Sequence, residues 1–388
     1  MSKKMITLPH HVSDYECMWN GIEDIYQLKS GEKLPDYFFF ALAGYGNFAY
    51  IKQKIQKGDT YERTVHAAWN DGRTKKMYER LASIVGFQYK HIEGRTFHYT
   101  MKKAKEQINQ GMPVVLGALD MYYLPYYPKF YEKIHIPIHY VLMVGYDEEA
   151  NCVYVQDCGL EGEQVLSMDI LEKALAIEKT SLSDKNTICL LTFDEQLKSV
   201  GEIATKAFSQ KAKSQLYPPV KFLGIPGMRK LAKEFKQLQY ELTEEQYNKM
   251  ITNILMFTGT VPCLPNTVYG SKEKDFVKHM AAREELAGVL RAIGKEYGIK
   301  EYENAADYFI ESGLYIQEMS DLLTAYLLQE KTHCDSLGEK ISELIYKIAD
   351  IEEKAYISIM KSRTSRQLEK QICSTDTLKT VIRHPIRK

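Results

Sequence analysis

The chain has 388 residues, with 51 basic and 51 acidic side chains, so its formal net charge is zero. That balance removes the one-sign field that wrapping nucleic acid or coating an anionic membrane requires. Hydrophobic residues at 45% and charged residues at 26% are ordinary for a globular protein, and the length suffices for two domains with separate cores.

The seven cysteines are odd in number and include no Cys-x-x-Cys pair. No apolar run follows Lys3-Lys4 or reaches membrane-helix length. These features predict a cytoplasmic protein with reduced thiols. The 28 tyrosines, many of them in the first half, suit a lined cleft as readily as a core.

Along the chain, Ser13-Asp14-Tyr15-Glu16 fits a capping box. It predicts a helix with Met18, Ile22, Ile25 and Tyr26 on one face and Cys17 in its first turn. Free amides and the positive end of the helix dipole there favour a thiolate. A cysteine at such a place is also often just a small packed residue.

Residues 37–43 read as a strand running into Gly44-Tyr-Gly46-Asn-Phe-Ala49, the outline of a dinucleotide fingerprint. That site needs a helix next and an acid after a second strand. Here the chain reaches Lys57-Gly58-Asp59 after about two turns, with no second strand evident. Gly44 and Gly46 are therefore read as allowing close backbone approach in a cleft loop.

Residues 114–119, 140–145, 153–156 and 187–193 have strand composition. Between the first two lies Asp120-Met-Tyr122-Tyr123-Leu-Pro125-Tyr126-Tyr127, which Pro125 keeps from being a regular helix. Tyr122, Tyr123 and Tyr126 are candidate substrate-lining residues, and a loop packed on the core is the plainer alternative.

Residues 139–145 and 152–157 flank a polar turn and read as a β-hairpin. With the turn centred near Glu148, His139 lies opposite Asp157 on one face, where a carboxylate orients an imidazole. A one-residue slip would destroy that match. His135 and His139 are four apart, but Pro137 and the missing glutamate exclude a zinc-peptidase helix. No metal or cofactor is expected.

Beyond about residue 195 the period turns helical. Leu231, Phe235, Leu238 and Leu242 recur at helical spacing, as do Ile341, Leu344, Ile348 and Ile351. Thr243 with Gln246 forms a capping box that opens a helix. Turns are expected at Tyr217-Pro218-Pro219, at Gly224-Ile-Pro-Gly227 and over 259–270, and a polar, basic tail from Ser362. The expected fold is α+β over 1–197, then an all-α domain over 198–388.

Several stretches carry a resemblance. They are Cys17, Gly44-x-Gly46-x-Phe48-x-Tyr50, Gly111-x-Pro113-Val114-Val115, Tyr122-Tyr-Leu-Pro125-Tyr126, His139-Tyr-Val-Leu-Met-Val-Gly145-Tyr-Asp147 and Val153-Tyr-Val155-x-Asp157. In this order they are similar to the N-terminal domain of the butirosin biosynthesis protein H family over about 8–195. The helical remainder resembles the uncharacterised domain that often follows it.

The resemblance implies a papain-like cysteine-enzyme fold and acyl transfer from a carrier-protein thioester to an amine. It implies Cys17 as nucleophile, His139 as base and Asp157 as its orienting acid. Related bacteriocin-processing cysteine peptidases share the Cys17 and His139 pattern. Where papain-like peptidases carry a glutamine about six residues before the cysteine, this chain has His11. Small residues commonly follow the family's cysteine; here Met18-Trp19-Asn20 follow, and Trp19 is expected to narrow the site.

The expected reaction moves an acyl group from a carrier-protein or coenzyme A thioester through Cys17 to a small-molecule amine. Hydrolysis of an amide by the same three residues, and a non-catalytic binding role, are the alternatives. Arg229, Lys230, Lys233 and Lys236 are a candidate carrier-docking face, or simply a solvated helix face. The helical half is expected to bind the donor, cap the cleft or form a homodimer.

Overall fold

A computed structural model describes residues 3–12, 17–43, 47–58, 60–70, 77–180, 183–258, 282–328 and 335–362. The elements in order are β1 (Lys3–Met5), α1 (Asn20–Ser30), α2 (Phe38–Ala43), β2 (Asn47–Lys57), β3 (Thr60–Asn70), α3 (Met77–Val85), β4 (Phe87–Ile92), α4 (Phe97–Asn109) and β5 (Val114–Leu119). There follow a 3₁₀ turn (Met121–Tyr123), β6 (His139–Asp147), β7 (Cys152–Gln156), β8 (Glu163–Ser167), α5 (Met168–Leu175) and β9 (Ile188–Phe193). The rest is helical: α6 (Val200–Leu216), α7 (Gly224–Glu241), α8 (Glu244–Thr258), α9 (Arg283–Tyr297), α10 (Lys300–Leu327) and α11 (Asp335–Lys361).

The chain forms two compact units. The first joins Met1–Gly44 to Gly72–Val200, and the second joins Tyr45–Asp71 to Gly201–Lys388. Residues 45–71 thus group with the helical part and not with their neighbours in sequence.

The first unit is α+β. Its antiparallel sheet runs β4-β9-β5-β6-β7-β8, with β1 added along β6 beyond the end of β5. Buried Val114 to Leu119 and a β6 buried as far as Tyr146 form the centre. Being covered on both faces, these strands are apolar at successive positions and do not alternate. Helix α1 lies directly on them. A Cβ on Gly21 would overlap Val115 Cγ2 and come within 3.4 Å of Leu142 Cδ1, so the bare backbone sets the closeness of α1 to the sheet.

The second unit holds the β2–β3 hairpin and helices α6 to α11. The hairpin pairs without a break from Asn47↔Asn70 to Lys57↔Thr60 and turns at Gly58, whose φ of +60° suits a residue without a Cβ. Tyr50 ties it to α7, its hydroxyl donating to Glu234 at 2.6 Å. The Thr243–Gln246 capping box is formed, with reciprocal bonds of 3.1 and 3.3 Å.

Two expectations are corrected here. Residues 37–43 are not a strand: Phe38–Ala43 is helix α2, buried almost all round. A short apolar run fits a buried strand or helix equally, and periodicity cannot separate them. The stretch after Gly46 is a strand with a second strand behind it, so the second unit is not wholly helical. Lys52, Gln53, Lys54 and Gln56 are exposed there, and their helix-forming side chains mask the strand. The order helix then strand also reverses the dinucleotide fingerprint. The expected loop at 259–270 and the tail beyond Ser362 lie outside the described residues. No helix among the described residues is long and apolar enough to cross a membrane.

Candidate active site

His139 opens β6 and Asp157 follows directly on β7. The hairpin closes at Asp147↔Cys152, later in the chain than a turn centred on Glu148 would place it. Its ladder then slips by one residue between Gly145↔Tyr154 and Met143↔Val155. Continued without the slip, Asp157 would lie across from Leu142, on the opposite face from His139. Continued with it, Asp157 lies across from Val141, on the same face as His139 and diagonal to it. The extra residue in β6 is what lets the two side chains meet.

They meet closely: His139 Nε2 is 2.7 Å from Asp157 Oδ2, and both side chains are buried. The other carboxylate oxygen accepts from the Tyr127 hydroxyl at 2.7 Å. The Tyr127 ring also stands edge-on to the imidazole, 5.6 Å between centroids at 89°. Both oxygens of Asp157 are therefore occupied, and His139 is held in orientation as well as in place.

Cys17 lies in a turn over 17–19, with Trp19 as the N-cap of α1. The helix starts at Asn20, so Cys17 precedes it and does not sit in its first turn. The expected capping box at Ser13 to Glu16 lies outside the described residues. The Tyr78 hydroxyl donates to the Met18 carbonyl at 2.7 Å and pins this turn from α3. The Cys17 thiol is buried and hydrogen-bonds the His139 side chain. With Nε2 on Asp157, Nδ1 is the ring nitrogen left for the sulfur.

Burial by itself works against an imidazolium at His139. The charge and hydrogen bond of Asp157, joined by Cys17, outweigh it and raise His139 to about 10. Burial likewise pushes Asp157 up, and His139 with the tyrosine hydroxyls more than reverses it, leaving the carboxyl below its ordinary range. The arrangement is a buried imidazole–carboxylate pair beside a thiol, and both shifts favour its charged form. Cys189 differs in setting: burial pushes it up to about 12, which keeps it a neutral, inert group.

The expected aromatic wall divides in two. Tyr126 is half-buried with its hydroxyl beside Asp157, and burial together with the charge of Asp157 keeps the phenol protonated. Tyr122 and Tyr123 face elsewhere. Tyr122 stacks on His135 at 4.1 Å and 12°, Tyr123 packs edge-on to Tyr122, and Asp120 holds His135 Nδ1 at 2.6 Å.

Trp19 is fully buried and packs edge-on against Phe40 at 5.3 Å, so it belongs to the core and is not an open cleft wall. His11 lies 3.7 Å from Asp36 with its ring a third exposed. Gly44 and Gly46 lie outside the described residues. Arg229 pairs with Asp350 and Glu353, and Lys236 with Glu339, which spends half of the expected docking face on α7–α11 contacts. Among the described residues no three His, Cys, Asp or Glu side chains are grouped to hold a metal.

Tyr127 and Tyr78 are the site residues that sequence reasoning missed. Tyr127 ends the aromatic run already singled out, one place beyond Tyr126. Nothing near Tyr78 in the chain signals its role.

Residues 16–158 match the family described as butirosin biosynthesis protein H, N-terminal. The match opens one residue before Cys17 and closes one after Asp157. Residues 169–260 match a domain of unknown function (DUF4872). No curated protein matches the chain.

Proposed function

We propose, for a chain whose residues 16–158 belong to the butirosin biosynthesis protein H N-terminal family, that it is a biosynthetic acyltransferase working through Cys17. The observation that carries the reading is the continuous line from Cys17 to His139 to Asp157, with 2.7 Å between imidazole and carboxylate, inside that match. A nucleophile ahead of a helix laid on an antiparallel sheet, with its base at a strand start and its acid at the next strand end, also supports a papain-like arrangement.

The chemistry follows from the charges. A buried imidazolium beside the sulfur favours the thiolate. The thiolate attacks the carbonyl of a carrier-protein or coenzyme A thioester. The donor thiol leaves with a proton from His139, and acyl-Cys17 remains. An amine then attacks the acyl carbon. His139 takes the proton released from nitrogen and returns it to the Cys17 sulfur as the amide leaves. In this reading free amides at the head of α1 receive the oxyanion of each tetrahedral intermediate. The three reacting side chains are nearly sealed from solvent, a setting that favours an amine over water as acceptor.

Mass spectrometry of the protein after exposure to acyl thioesters tests this, with Cys17→Ala as the control. An adduct confined to Cys17 that is discharged by amines to amides is the expected result. Discharge by water alone would make the chain a hydrolase. No adduct on Cys17 would sink the reading and leave a binding protein.

A further inference from the structure

A second histidine–carboxylate pair lies beside the site, and the proposed reaction does not use it. His10 has a side chain only 8% exposed, and Asp24 is wholly buried. Asp24 belongs to α1, the helix that Cys17 leads into. His10 Nε2 stands 2.9 Å from the carbonyl of Leu160. The amide of Leu160 bonds back to the carbonyl of Asp157 at 3.1 Å, so this carbonyl belongs to the turn that carries the acid. On its other side, His10 Nδ1 faces Asp24 Oδ2 at 3.6 Å. One imidazole thus spans two segments distant in sequence, the nucleophile's helix and the triad acid's turn.

Proton counting constrains this bridge. A carbonyl only accepts, so Nε2 carries a hydrogen. A carboxylate facing Nδ1 then requires one more proton, on the ring or on the carboxyl. Either way the pair is neutral as a whole, as a buried group must be to avoid an uncompensated charge. Neither oxygen of Asp24 has a hydrogen bond of ordinary length among the described residues, so His10 is its chief counterpart. Burial raises Asp24, and it works against His10 but is outweighed there by Asp24 and the Leu160 carbonyl; both directions favour keeping the additional proton on the pair. The other charge acting on Asp24 is His11, itself beside Asp36.

We infer that His10 and Asp24 are positioning residues, a clamp that fixes the distance between the Cys17 sulfur and the His139–Asp157 pair. The clamp rests on the Cys17 reading above, because it acts on that site. Loosening it lets α1 and the Asp157 turn drift apart, which weakens the imidazolium beside the sulfur. A misplacement of about 1 Å at a reacting pair is enough to cost orders of magnitude in rate.

The test is the pH profile of Cys17 alkylation by iodoacetamide, read peptide by peptide, in the full chain. Asp24→Asn and His10→Gln each keep a polar side chain of similar size, and thermal melting checks that each variant is folded. Both are expected to slow Cys17 alkylation at neutral pH about tenfold or more and to move the profile to higher pH. The double variant, a neutral amide pair, is expected to recover part of the loss. A folded Asp24→Asn or His10→Gln protein with the wild-type profile overturns the inference, even if it melts earlier. A wild-type Cys17 that reacts no faster than an ordinary free thiol overturns the acyltransferase reading, and the clamp with it. That outcome is distinguishable because it is read before any clamp variant is made.

Discussion

The two oxygens of Asp157 are bound by different partners, His139 on one side and Tyr127 on the other. Tyr127→Phe keeps the ring against the imidazole and removes only the hydroxyl, so a buried carboxylate oxygen loses its 2.7 Å donor. Such a loss costs about 1–3 kcal/mol. The expected outcome is a melting transition lowered accordingly and amide formation slowed about tenfold, with thioester KM little changed, since the hydroxyl orients the acid and does not touch substrate. Equal kcat in wild type and variant would remove Tyr127 from the site.

The same pair sets a pH dependence of stability. His139 is raised from its ordinary 6.5 to about 10, so its contribution is complete below 6.5 and is lost as pH rises toward 10. Asp157 is lowered from 3.8, so its contribution is present above 3.8 and is lost as pH falls through the folded value. The pair therefore stabilises most between the two ordinary values. Urea melts at stepped pH are expected to show wild-type stability declining from pH 6.5 upward relative to His139→Gln. Parallel curves would mean that the imidazolium is not held.

At the scale of elements, the site depends on how closely α1 approaches β5 and β6. Gly21 faces Val115 and Leu142, and any side chain there overlaps the sheet. Overpacking of this kind typically costs about 1–3 kcal/mol, and here the strain is relieved by lifting the helix that Cys17 leads into. Gly21→Val is expected to melt earlier and to slow Cys17 alkylation. Val115→Ala in the same chain opens room and is expected to restore part of both. A Gly21→Val protein with normal alkylation would show that the helix can shift without moving the thiol. The register slip in β6 works at the same scale, because one residue decides which face His139 and Asp157 share.

At the scale of the molecule, each unit has its own core and its own buried polar contacts. In the second, Arg283 Nε pairs with Glu352 Oε1 at 2.7 Å with both side chains fully buried, and Ser312 donates to the same oxygen at 2.7 Å. The three residues come from α9, α11 and α10 and fix the register of those helices. Removing one partner of a buried pair strands the other and costs about 3–5 kcal/mol. Glu352→Gln is expected to lower the unfolding transition of the helical unit while Cys17 keeps its alkylation profile. A changed profile at Cys17 would reveal coupling between the two units.

By itself the sequence determined the strands at 114–119 and, to within one residue, 187–193, the capping box at Thr243, and the helical period of the second half. In each, the signal is local: apolar composition, a hydrogen bond three residues away, or a repeat along one face. It also singled out Cys17, His139 and Asp157, whose residue types point to thiol chemistry wherever they converge. Convergence itself was decided by the tertiary structure. The slip at Val144 is not written in the alternation of an apolar strand buried on both faces, and it alone brings His139 and Asp157 to one side. Helix α2 could not be told from a strand because all its positions are apolar. The β2–β3 hairpin was masked by lysine and glutamine, and its pairing is fixed by contacts with helices more than a hundred residues later. Tyr78, Tyr127 and the His10–Asp24 pair act across distances in the chain over which no local pattern carries information.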